Sequence, residues 1–324
     1  MRLVSVTRRG AAEPALGALL DGEVVDLAVA ASSLAPGLDA AGRLRSLDAL
    51  LADWEHGLPV ARAVLDRVRA APSEARRALA TSGGILPAGS VEWRPPVSRP
   101  PTFRDFYTFE LHVKNARARR GATVPPEWYE APAFYFSNPG SLVGHGSGVR
   151  KPAWTGQLDY ELEMACVIGR RARDVEPGDW RSVVAGFTIL NDWSARDVQS
   201  RERAVGLGLA KAKDFATSLG PALVTPDELE SRRRGDRYDL SMEARVDGAT
   251  LSRGNARDMH FGWGELIARA SQDVYLLPGD ILGSGAVGNG CLLELGAEVH
   301  PWLQPGDEVT LEIELLGALS NTIL

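Results

Sequence analysis

Cysteine is scarce in this chain, which has only Cys166 and Cys291 among its 324 residues. Two thiols cannot build a disulfide framework or a four-thiolate zinc site. Both lie among apolar neighbours in the sequence. We therefore expect buried, free thiols in a reducing compartment.

Long apolar runs are also missing. None approaches the roughly 20 residues that a membrane-spanning helix needs. The opening residues, MRLVSVTRRG, lack the apolar core of a signal peptide. We therefore expect a cytoplasmic protein that makes no contact with a membrane.

The chain also has no excess of basic residues. Lys and Arg together number 36 against 42 Asp and Glu, so the net charge is -6. Binding to nucleic acid or to an anionic membrane requires clustered Lys and Arg, and the composition argues against both partners. Hydrophobic residues make up 44% of the chain and charged residues 24%, as in an ordinary globular protein.

The chain is long enough for a large domain and a smaller one. Residues 1–30 show short apolar runs broken by turn signals, which predict a small β-hairpin unit. Apolar residues then recur at helical spacing from about 43 to 82. A segment with five prolines follows at 86–101 and is typical of an ordered linker. We place the boundary there, with a small N-terminal α+β domain over 1–95 and a catalytic domain over 96–324.

Strand-like segments dominate the larger part, and only about 198–206 and 262–271 have a helical pattern. These segments indicate a mostly antiparallel β architecture within an α+β fold. The predicted strands are AFYFS (133–137), YELEMACVIG (160–169), VVAGFTILND (183–192), PALVT (221–225), LSMEARVDG (240–248), CLLELG (291–296) and EVTLEIELLG (308–317).

One of these segments carries three acids. In LDYELEMACVIG (158–169), Asp159, Glu161 and Glu163 alternate with apolar residues. Successive strand side chains point to opposite faces, so the acids share one face, roughly 6.5–7 Å apart along the strand. Basic partners, shared protons or a bound cation could relieve their repulsion. An exposed edge strand is the alternative, but the same face continues as Ala165 and Val167, which indicates burial.

Two other stretches add candidate residues. In GFTILNDWSARDVQSRE (186–202) an apolar strand leads directly into Asp192, which could instead cap the next helix. In TFRDFYTFELHVKNARARRG (102–121), Asp105 and His112 are seven apart and would share a face if the interval were helical. A His beside a carboxylate-held metal is a candidate general base. By itself, a single His is more often structural or at the surface.

Together, several stretches resemble the fumarylacetoacetate hydrolase family, in the family's order and over roughly 102–296. The resemblance implies a compact β-roll-like fold, usually dimeric, that holds one Mg²⁺ or Ca²⁺ through four carboxylates. The matching stretches are DFYTFELH, PEWYEAPAFYF, LDYELEMACVIG, LNDWSARDVQ, KDFATSLGP and LPGDILGSGAVGNGCLLELG. The first hundred residues are similar only loosely to the family's small N-terminal domain.

The resemblance also implies residue roles. The four metal ligands match Asp105, Glu161, Glu163 and Asp192, and an all-oxygen set suits Mg²⁺, Ca²⁺ or Mn²⁺. Asp159 is not a ligand in the family, and we expect it to take a basic or backbone partner.

The other implied roles concern catalysis and substrate binding. The water-activating His matches His112, and the acid that orients it matches Glu294. The remaining matches are Lys213 as a catalytic helper, Tyr107, Arg120, Tyr135 and Gln199 as substrate contacts, and Thr217 as a supporting hydroxyl.

Two positions depart from the fumarylacetoacetate-cleaving members. Arg203 stands where they have Tyr, and Ala286 where they have Thr. Arg203, if it faces the site, adds a positive charge that favours a second carboxylate on the substrate. We therefore expect an acylpyruvate or another 2,4-diketo acid to be preferred over fumarylacetoacetate.

The expected activity is hydrolysis of a C–C bond in a 1,3-diketo acid by a homodimeric, metal-dependent enzyme. The pairing of His112 with Glu294 favours hydrolysis. Decarboxylation, tautomerisation or isomerisation of a β-keto acid, or hydration of a dienol acid, at the same metal is the alternative. A binding protein without catalytic activity is a third interpretation, but it would be expected to lack His112 or Glu294.

Overall fold

The computed structural model describes residues 1–8, 10–11, 13–38, 40 and 42–324. The α-helices are α1 (Leu27–Leu34), α2 (Leu47–Ala52), α3 (Trp54–Ala70), α4 (Ser73–Thr81), α5 (Glu110–Ala118), α6 (Arg196–Val205), α7 (Trp263–Ser271) and α8 (Leu292–Leu295). Short 3₁₀ helices span Ala88–Ser90, Pro126–Tyr129, Pro177–Val183, Pro226–Arg232 and Ala256–Asp258.

The strands are numbered in chain order. They are β1 (Arg2–Arg8), β2 (Ala15–Leu20), β3 (Glu23–Asp26), β4 (Ile85–Pro87), β5 (Val91–Arg94), β6 (Phe103–Phe106), β7 (Phe134–Phe136), β8 (Leu142–Val143), β9 (Gly148–Val149), β10 (Leu158–Asp159), β11 (Leu162–Ile168), β12 (Ala172–Arg173), β13 (Val184–Asn191), β14 (Ser194–Ala195), β15 (Thr217–Val224), β16 (Arg233–Arg234), β17 (Arg237–Tyr238), β18 (Ser241–Val246), β19 (Ala249–Asn255), β20 (Tyr275–Leu276), β21 (Ile281–Gly283), β22 (Glu308–Ile313) and β23 (Gly317–Ile323).

A large sheet organises the molecule. It has 12 strands, with the main order β4-β3-β2-β1-β15-β13-β11-β21-β6-β7, while β5 pairs with β1 and β8 with β15. Its ladders are antiparallel except for β6 with β21 and β8 with β15. A second, 5-stranded sheet has the order β19-β18-β22-β23-β9. The expected α+β, mostly β fold class is confirmed.

The side chains of β11 alternate between two cores. Met164 and Cys166 belong to an apolar cluster that also contains residues of the 5-stranded sheet, such as Leu311. Ala165 and Val167 belong to a second cluster on the opposite face of β11. The row of residues that carries the acids is therefore buried, as the apolar continuation of that face predicted.

The second cluster joins the N-terminal part of the chain to the large sheet. It contains Leu16 and Val64 from the N-terminal part together with Leu190 and Leu219 from β13 and β15. Strand β1 is hydrogen-bonded to β15, so the N-terminal strands extend the large sheet. A domain boundary at 95/96 stays a prediction, and the packing shows that the two parts share one core.

Residues 27–34 form a helix that was not predicted, begun by Asp26, whose carboxylate accepts a hydrogen bond from Val29 N at 3.0 Å. One local prediction was wrong. Residues 291–296 form the short helix α8 and not a strand. The interval from Asp105 to His112 is not one helix, because Asp105 lies on β6 and α5 begins at Glu110.

The expectations about membrane-spanning helices and disulfides concern the helices and the two cysteines. Within the described ranges, no helix is long and apolar enough to cross a membrane. Cys166 and Cys291 are both buried and free, as expected from their apolar sequence neighbours.

Candidate active site

Three carboxylates converge where neighbouring strands of the large sheet end. Asp105 lies on β6, Glu163 on β11, and Asp192 directly follows β13. One ligand oxygen from each lies within 4.8 Å of the others. Their exposed fractions are 2%, 0% and 0%, respectively. The expected cluster of acids from three separate segments is therefore present and buried.

This cluster has oxygens that no hydrogen bond satisfies. Within the described residues, Asp105 Oδ1, Glu163 Oε1 and Asp192 Oδ1 are buried without a partner. Burial, reinforced by the neighbouring carboxylates, raises the pKa of Asp105 and of Glu163 well above the ordinary value. Burial also raises the pKa of Asp192. Such groups need protons or a cation, and three free carboxylate oxygens fit a hard divalent ion.

Glu161 lies beside the cluster rather than within it. Lys213 Nζ donates hydrogen bonds to Glu161 Oε2 and, at 2.5 Å, to Asp192 Oδ2. Burial acts to raise the pKa of Glu161, but the Lys213 and Arg196 charges outweigh it and hold that pKa below the ordinary value. Tyr135 Oη donates to Asp192 Oδ2 at 2.6 Å. Three of the four predicted metal ligands thus cluster, and Lys213 lies between Asp192 and the fourth, Glu161.

His112 and Glu294 form a buried pair. His112 Nδ1 and Glu294 Oε1 are 2.6 Å apart. Glu294 also accepts hydrogen bonds from Asn289 N at 2.8 Å, Gly290 N at 3.1 Å and Asn115 Nδ2 at 3.1 Å. Burial acts to raise the pKa of Glu294, but His112 and these donors outweigh it and lower that pKa. The carboxylate is therefore held ionised against the imidazole, and Nε2 is left for the pocket.

A cavity of about 470 Å³ brings these groups together. Acids, His112, Lys213 and several guanidinium groups line its wall. Its polar and charged lining residues are Asp105, Tyr107, His112, Arg117, Arg120, Tyr135, Glu161, Glu163, Arg196, Gln199, Arg203 and Lys213. Ala286 is also part of the wall.

Two arginines lie close together at the mouth of the cavity. Arg120 and Arg203 are exposed to solvent as well as lining the cavity. Among the described residues, neither forms an ion pair with an acid within 4.0 Å. Although Arg203 is partly exposed, burial of its guanidinium among neighbouring groups, together with the nearby Arg120 charge, lowers the pKa of Arg203 to about 10. Two like charges side by side without a carboxylate favour an anionic ligand.

Comparison with known protein families identifies the larger part of the chain. The family model described as fumarylacetoacetate (FAA) hydrolase, C-terminal, matches residues 102–324. The chain belongs to this family. The fumarylacetoacetate hydrolase resemblance inferred from the sequence is thus confirmed.

Two similar proteins are named as oxaloacetate tautomerases. The oxaloacetate tautomerase Fahd2a of Rattus norvegicus is 34% identical over 260 residues, which cover 80% of this chain and 78% of that protein. The oxaloacetate tautomerase YisK of Bacillus subtilis is 34% identical over 195 residues, covering 60% of this chain and 62% of that protein.

A solved structure shares the fold of this family member. It is the maleylpyruvate hydrolase from Sphingobium sp. SYK-6 in complex with manganese(II) and pyruvate. Its TM-score is 0.68 at 22% identity, and the match covers 100% of this chain and 99% of the other.

The sequence reasoning missed one charged residue of the site. Arg196 is buried and donates to Glu161 Oε1 at 2.8 Å, although it lies only three residues before the predicted Gln199. Asp159 takes both an arginine and backbone partners, as expected. Thr217 is buried at the start of β15 but does not line the cavity. The i, i+3 spacing of Arg196 and Gln199 was a signal that could have found Arg196.

Proposed function

We propose that this family member is a divalent-metal-dependent enzyme that interconverts the keto and enol forms of a 2-oxo dicarboxylic acid of the oxaloacetate type. The observation that carries the proposal is that Asp105 and Glu163, each with an unsatisfied carboxylate oxygen, line the same cavity as His112, which is paired with Glu294. The names of relatives that are 34% identical support this choice of substrate class.

Asp105, Glu163 and Asp192 would hold the ion, with Glu161 as a fourth ligand. We propose Mg²⁺ or Mn²⁺, with Ca²⁺ also suited to the oxygen donors. When bound, the ion stabilises the negative charge that develops on the 2-oxo oxygen of the substrate. Lys213, held against two of the carboxylates, keeps part of their charge neutral.

His112 is the group we assign to the proton on C3. The tautomerisation breaks the C3–H bond and forms an O–H bond on the 2-oxo oxygen, or the reverse, so it needs no other reactant. Glu294 accepts from Nδ1, which fixes the ring and leaves Nε2 as the base toward the cavity. The ionised Glu294 also stabilises the imidazolium that forms when His112 takes the proton.

Arg120 and Arg203 would bind the distal carboxylate. A dicarboxylate offers one carboxylate next to the 2-oxo group and a second for the cavity mouth. The charge of an unpaired guanidinium suits this second group. Ala286, which has no hydroxyl to offer, leaves recognition at its part of the wall to shape.

Hydrolysis of a C–C bond in a 2,4-diketo acid is the second candidate. The His112–Glu294 pair favours it, because an oriented imidazole can equally take a proton from water. The water oxygen would bond to the distal carbonyl carbon, the C–C bond would break, and the departing carbon would receive a proton. The substrates would be an acylpyruvate or a fumarylacetoacetate-like acid.

A substrate panel tests the two candidates against each other. Purified protein, freed of metal with a chelator and reloaded with Mg²⁺, Mn²⁺ or Ca²⁺, would be assayed with oxaloacetate, acylpyruvates and fumarylacetoacetate. We expect faster decay of the enol absorbance of oxaloacetate, without loss of carbon, and dependence on the added ion. Cleavage of a diketo acid with kcat/KM at least tenfold higher, about 1.4 kcal/mol in barrier, would instead establish the hydrolase.

A further inference from the structure

Asp159 has no place in the proposed chemistry, yet every oxygen of its carboxylate has a partner. It is fully buried. Oδ1 accepts a hydrogen bond from Leu292 N at 2.8 Å, and Oδ2 accepts from Leu293 N at 3.0 Å and from Arg196 Nε at 2.7 Å. A buried ion with these contacts connects three separate parts of the chain.

The backbone partners belong to the helix that carries Glu294. Leu292 and Leu293 are the first two residues of α8, and Glu294 is the third. Glu294 in turn holds His112 Nδ1 at 2.6 Å. A shift at the start of α8 would therefore move the carboxylate that orients the imidazole.

Helix α8 cannot hold its own position. It has 4 residues, from Leu292 to Leu295, and a single turn is unstable without outside contacts. Its first N–H groups have no acceptor within the helix. The chain on either side is not helical, since Cys291 is extended and Gly296 has φ +91°. Asp159, which lies on β10, supplies the missing acceptors.

Arg196, the side-chain partner of Asp159, also contacts Glu161, one of the proposed metal ligands. Arg196 Nη2 donates to Glu161 Oε1 at 2.8 Å, and Arg196 Nη1 donates to Gln199 Oε1 at 3.2 Å. Asp159 thus contacts both the support of the His112–Glu294 pair and the support of Glu161.

We propose that Asp159 is a positioning residue that ties α8, and with it the His112–Glu294 pair, to the Arg196–Glu161 side of the site. The proposal rests on the proposed function for the roles of His112 and Glu294. It needs the aspartate itself. An Asn would have one acceptor oxygen. Its NH₂ group would face either Leu292 N–H or, in the other orientation, both Leu293 N–H and the Arg196 guanidinium, and all of these are donors.

The first variant and its control are matched in burial. Asp159→Asn removes the carboxylate. Asp280→Asn removes another fully buried one, which accepts from Thr102 N at 2.7 Å and Leu277 N at 2.8 Å and lies 3.9 Å from Arg104. Asp280 does not line the cavity. The pair separates loss of a buried carboxylate in general from loss of this one. Thermal unfolding of both variants tests whether they are folded at the assay temperature.

The decisive readout does not require turnover. In Mg²⁺-loaded protein with ¹⁵N-labelled histidine, we expect the His112 Nδ1–H held by Glu294 to give a slowly exchanging proton signal, which its loss in His112→Gln would assign. We expect Glu294→Gln and Asp159→Asn to lose or broaden this signal and Asp280→Asn to keep it. A sharp, unshifted signal in Asp159→Asn would overturn the proposal.

A double-mutant cycle tests the same link through activity. We expect Asp159→Asn to lower kcat roughly tenfold or more in the wild-type background and less than about twofold in Glu294→Gln. Equal losses in the two backgrounds would show that Asp159 does not act through Glu294. If no substrate of the panel is turned over, the proposed function fails, while the histidine signal still decides the role of Asp159.

Leu292→Pro keeps the proposal testable if Asp159→Asn does not fold. It deletes one donor to Asp159 and changes no charge. Proline suits the first position of a helix, and Cys291 before it is extended, as the residue before proline prefers. We expect this variant also to weaken the His112 signal. Retention of the full signal and of wild-type kcat would count against the proposal.

Discussion

At the scale of single residues, the groups proposed for metal binding are separate from the group proposed for proton transfer. His112 bonds to Glu294 and contacts Tyr107 edge to face, with ring centroids 5.3 Å apart. His112 is therefore separate from the cluster formed by Asp105, Glu163 and Asp192. The two functions can therefore be removed one at a time.

Replacing His112 by Ala should abolish most activity and leave metal affinity almost unchanged. Loss of a general base typically lowers the rate by about 10²–10⁴-fold, whereas an all-oxygen set does not need an imidazole to bind the ion. Steady-state kinetics and calorimetric titration with Mn²⁺ measure the two effects. Asp105→Asn is the reciprocal control, with weakened Mn²⁺ binding. A His112 variant that keeps near-normal kcat, or no longer binds Mn²⁺, would contradict the assignment.

Arg203→Tyr, which restores the residue of the fumarylacetoacetate-cleaving members, should weaken dicarboxylate binding. Because Arg203 is solvent-exposed, the effect is modest, roughly a three- to tenfold rise in KM for oxaloacetate, and it shrinks with added salt. KM for an acylpyruvate with an uncharged tail should change little. Arg201→Tyr on the same helix is the control, since Arg201 does not line the cavity. Equal effects on both substrates would refute the role.

At the scale of elements, strand spacing around the cluster leaves no room for a side chain at Gly283. A Cβ there would lie 2.2 Å from Asp105 Oδ1 and 3.3 Å from Glu163 Oε2. Gly283 on β21 pairs with Asp105 on β6 and with Ala165 on β11. The absence of a side chain at Gly283 is thus what allows two acids from flanking strands to meet.

Gly283→Ala should therefore lower Mn²⁺ affinity by roughly tenfold or more, because displacing Asp105 breaks the ligand geometry. Stability should fall less, since the clashing atom is the end of a side chain. Gly156→Ala is the control, because a Cβ there meets nothing within 4 Å. Calorimetry gives the affinity and thermal unfolding the stability. Unchanged Mn²⁺ binding in Gly283→Ala would place the ion elsewhere.

Elements also show where sequence reasoning succeeded and failed. The alternation in β11 was readable because period-two patterning is local, and Glu163, Ala165 and Val167 do share a buried face. The segment CLLELG carries an apolar pattern that suits a strand. It forms α8 because Asp159, distant in sequence, caps its amides. Arg196 was missed for a similar reason, since its partners lie on β10 and just before β11.

At the scale of the whole molecule, the buried carboxylates of the proposed metal site make stability depend on pH. The ordinary pKa is 3.8 for Asp105 and 4.5 for Glu163, and burial raises both well above these values in the folded, metal-free protein. Above pH 4–5 the unfolded chain has therefore released protons that the folded chain still holds. It follows that metal-free stability falls as pH rises toward the folded pKa values.

The gain in Tm from Mn²⁺ should accordingly grow with pH. An ion replaces the bound protons, so its affinity rises with pH, while the metal-free reference weakens. Thermal unfolding with Mn²⁺ or with a chelator, from pH 5 to pH 8, measures the difference directly. The double variant Asp105→Asn, Glu163→Gln should show a small gain at every pH. A gain that is constant or shrinks toward pH 8 in the wild type would contradict the site.

The packing of the whole fold indicates that residues 96–324 depend on residues 1–95 for their stability. Residues 1–95 contribute β1, which pairs with β15, and helices whose side chains share a core with the large sheet. In their absence Ala165, Val167, Leu219 and Leu223 would face water on one side of the sheet. Burying such side chains contributes about 25 cal/mol per Å², and uncovered apolar patches of this kind promote aggregation.

A chain of residues 96–324 should therefore be insoluble or lack a cooperative unfolding transition, although the family match begins only at residue 102. Co-expression with residues 1–95 should restore solubility, because the fragment resupplies β1 and the apolar faces of α1 to α4. Solubility, circular dichroism and analytical ultracentrifugation measure the outcome, and the last also tests the expected homodimer in the full chain. A soluble 96–324 fragment that unfolds cooperatively within a few degrees of the full chain would show that residues 96–324 fold as an independent domain.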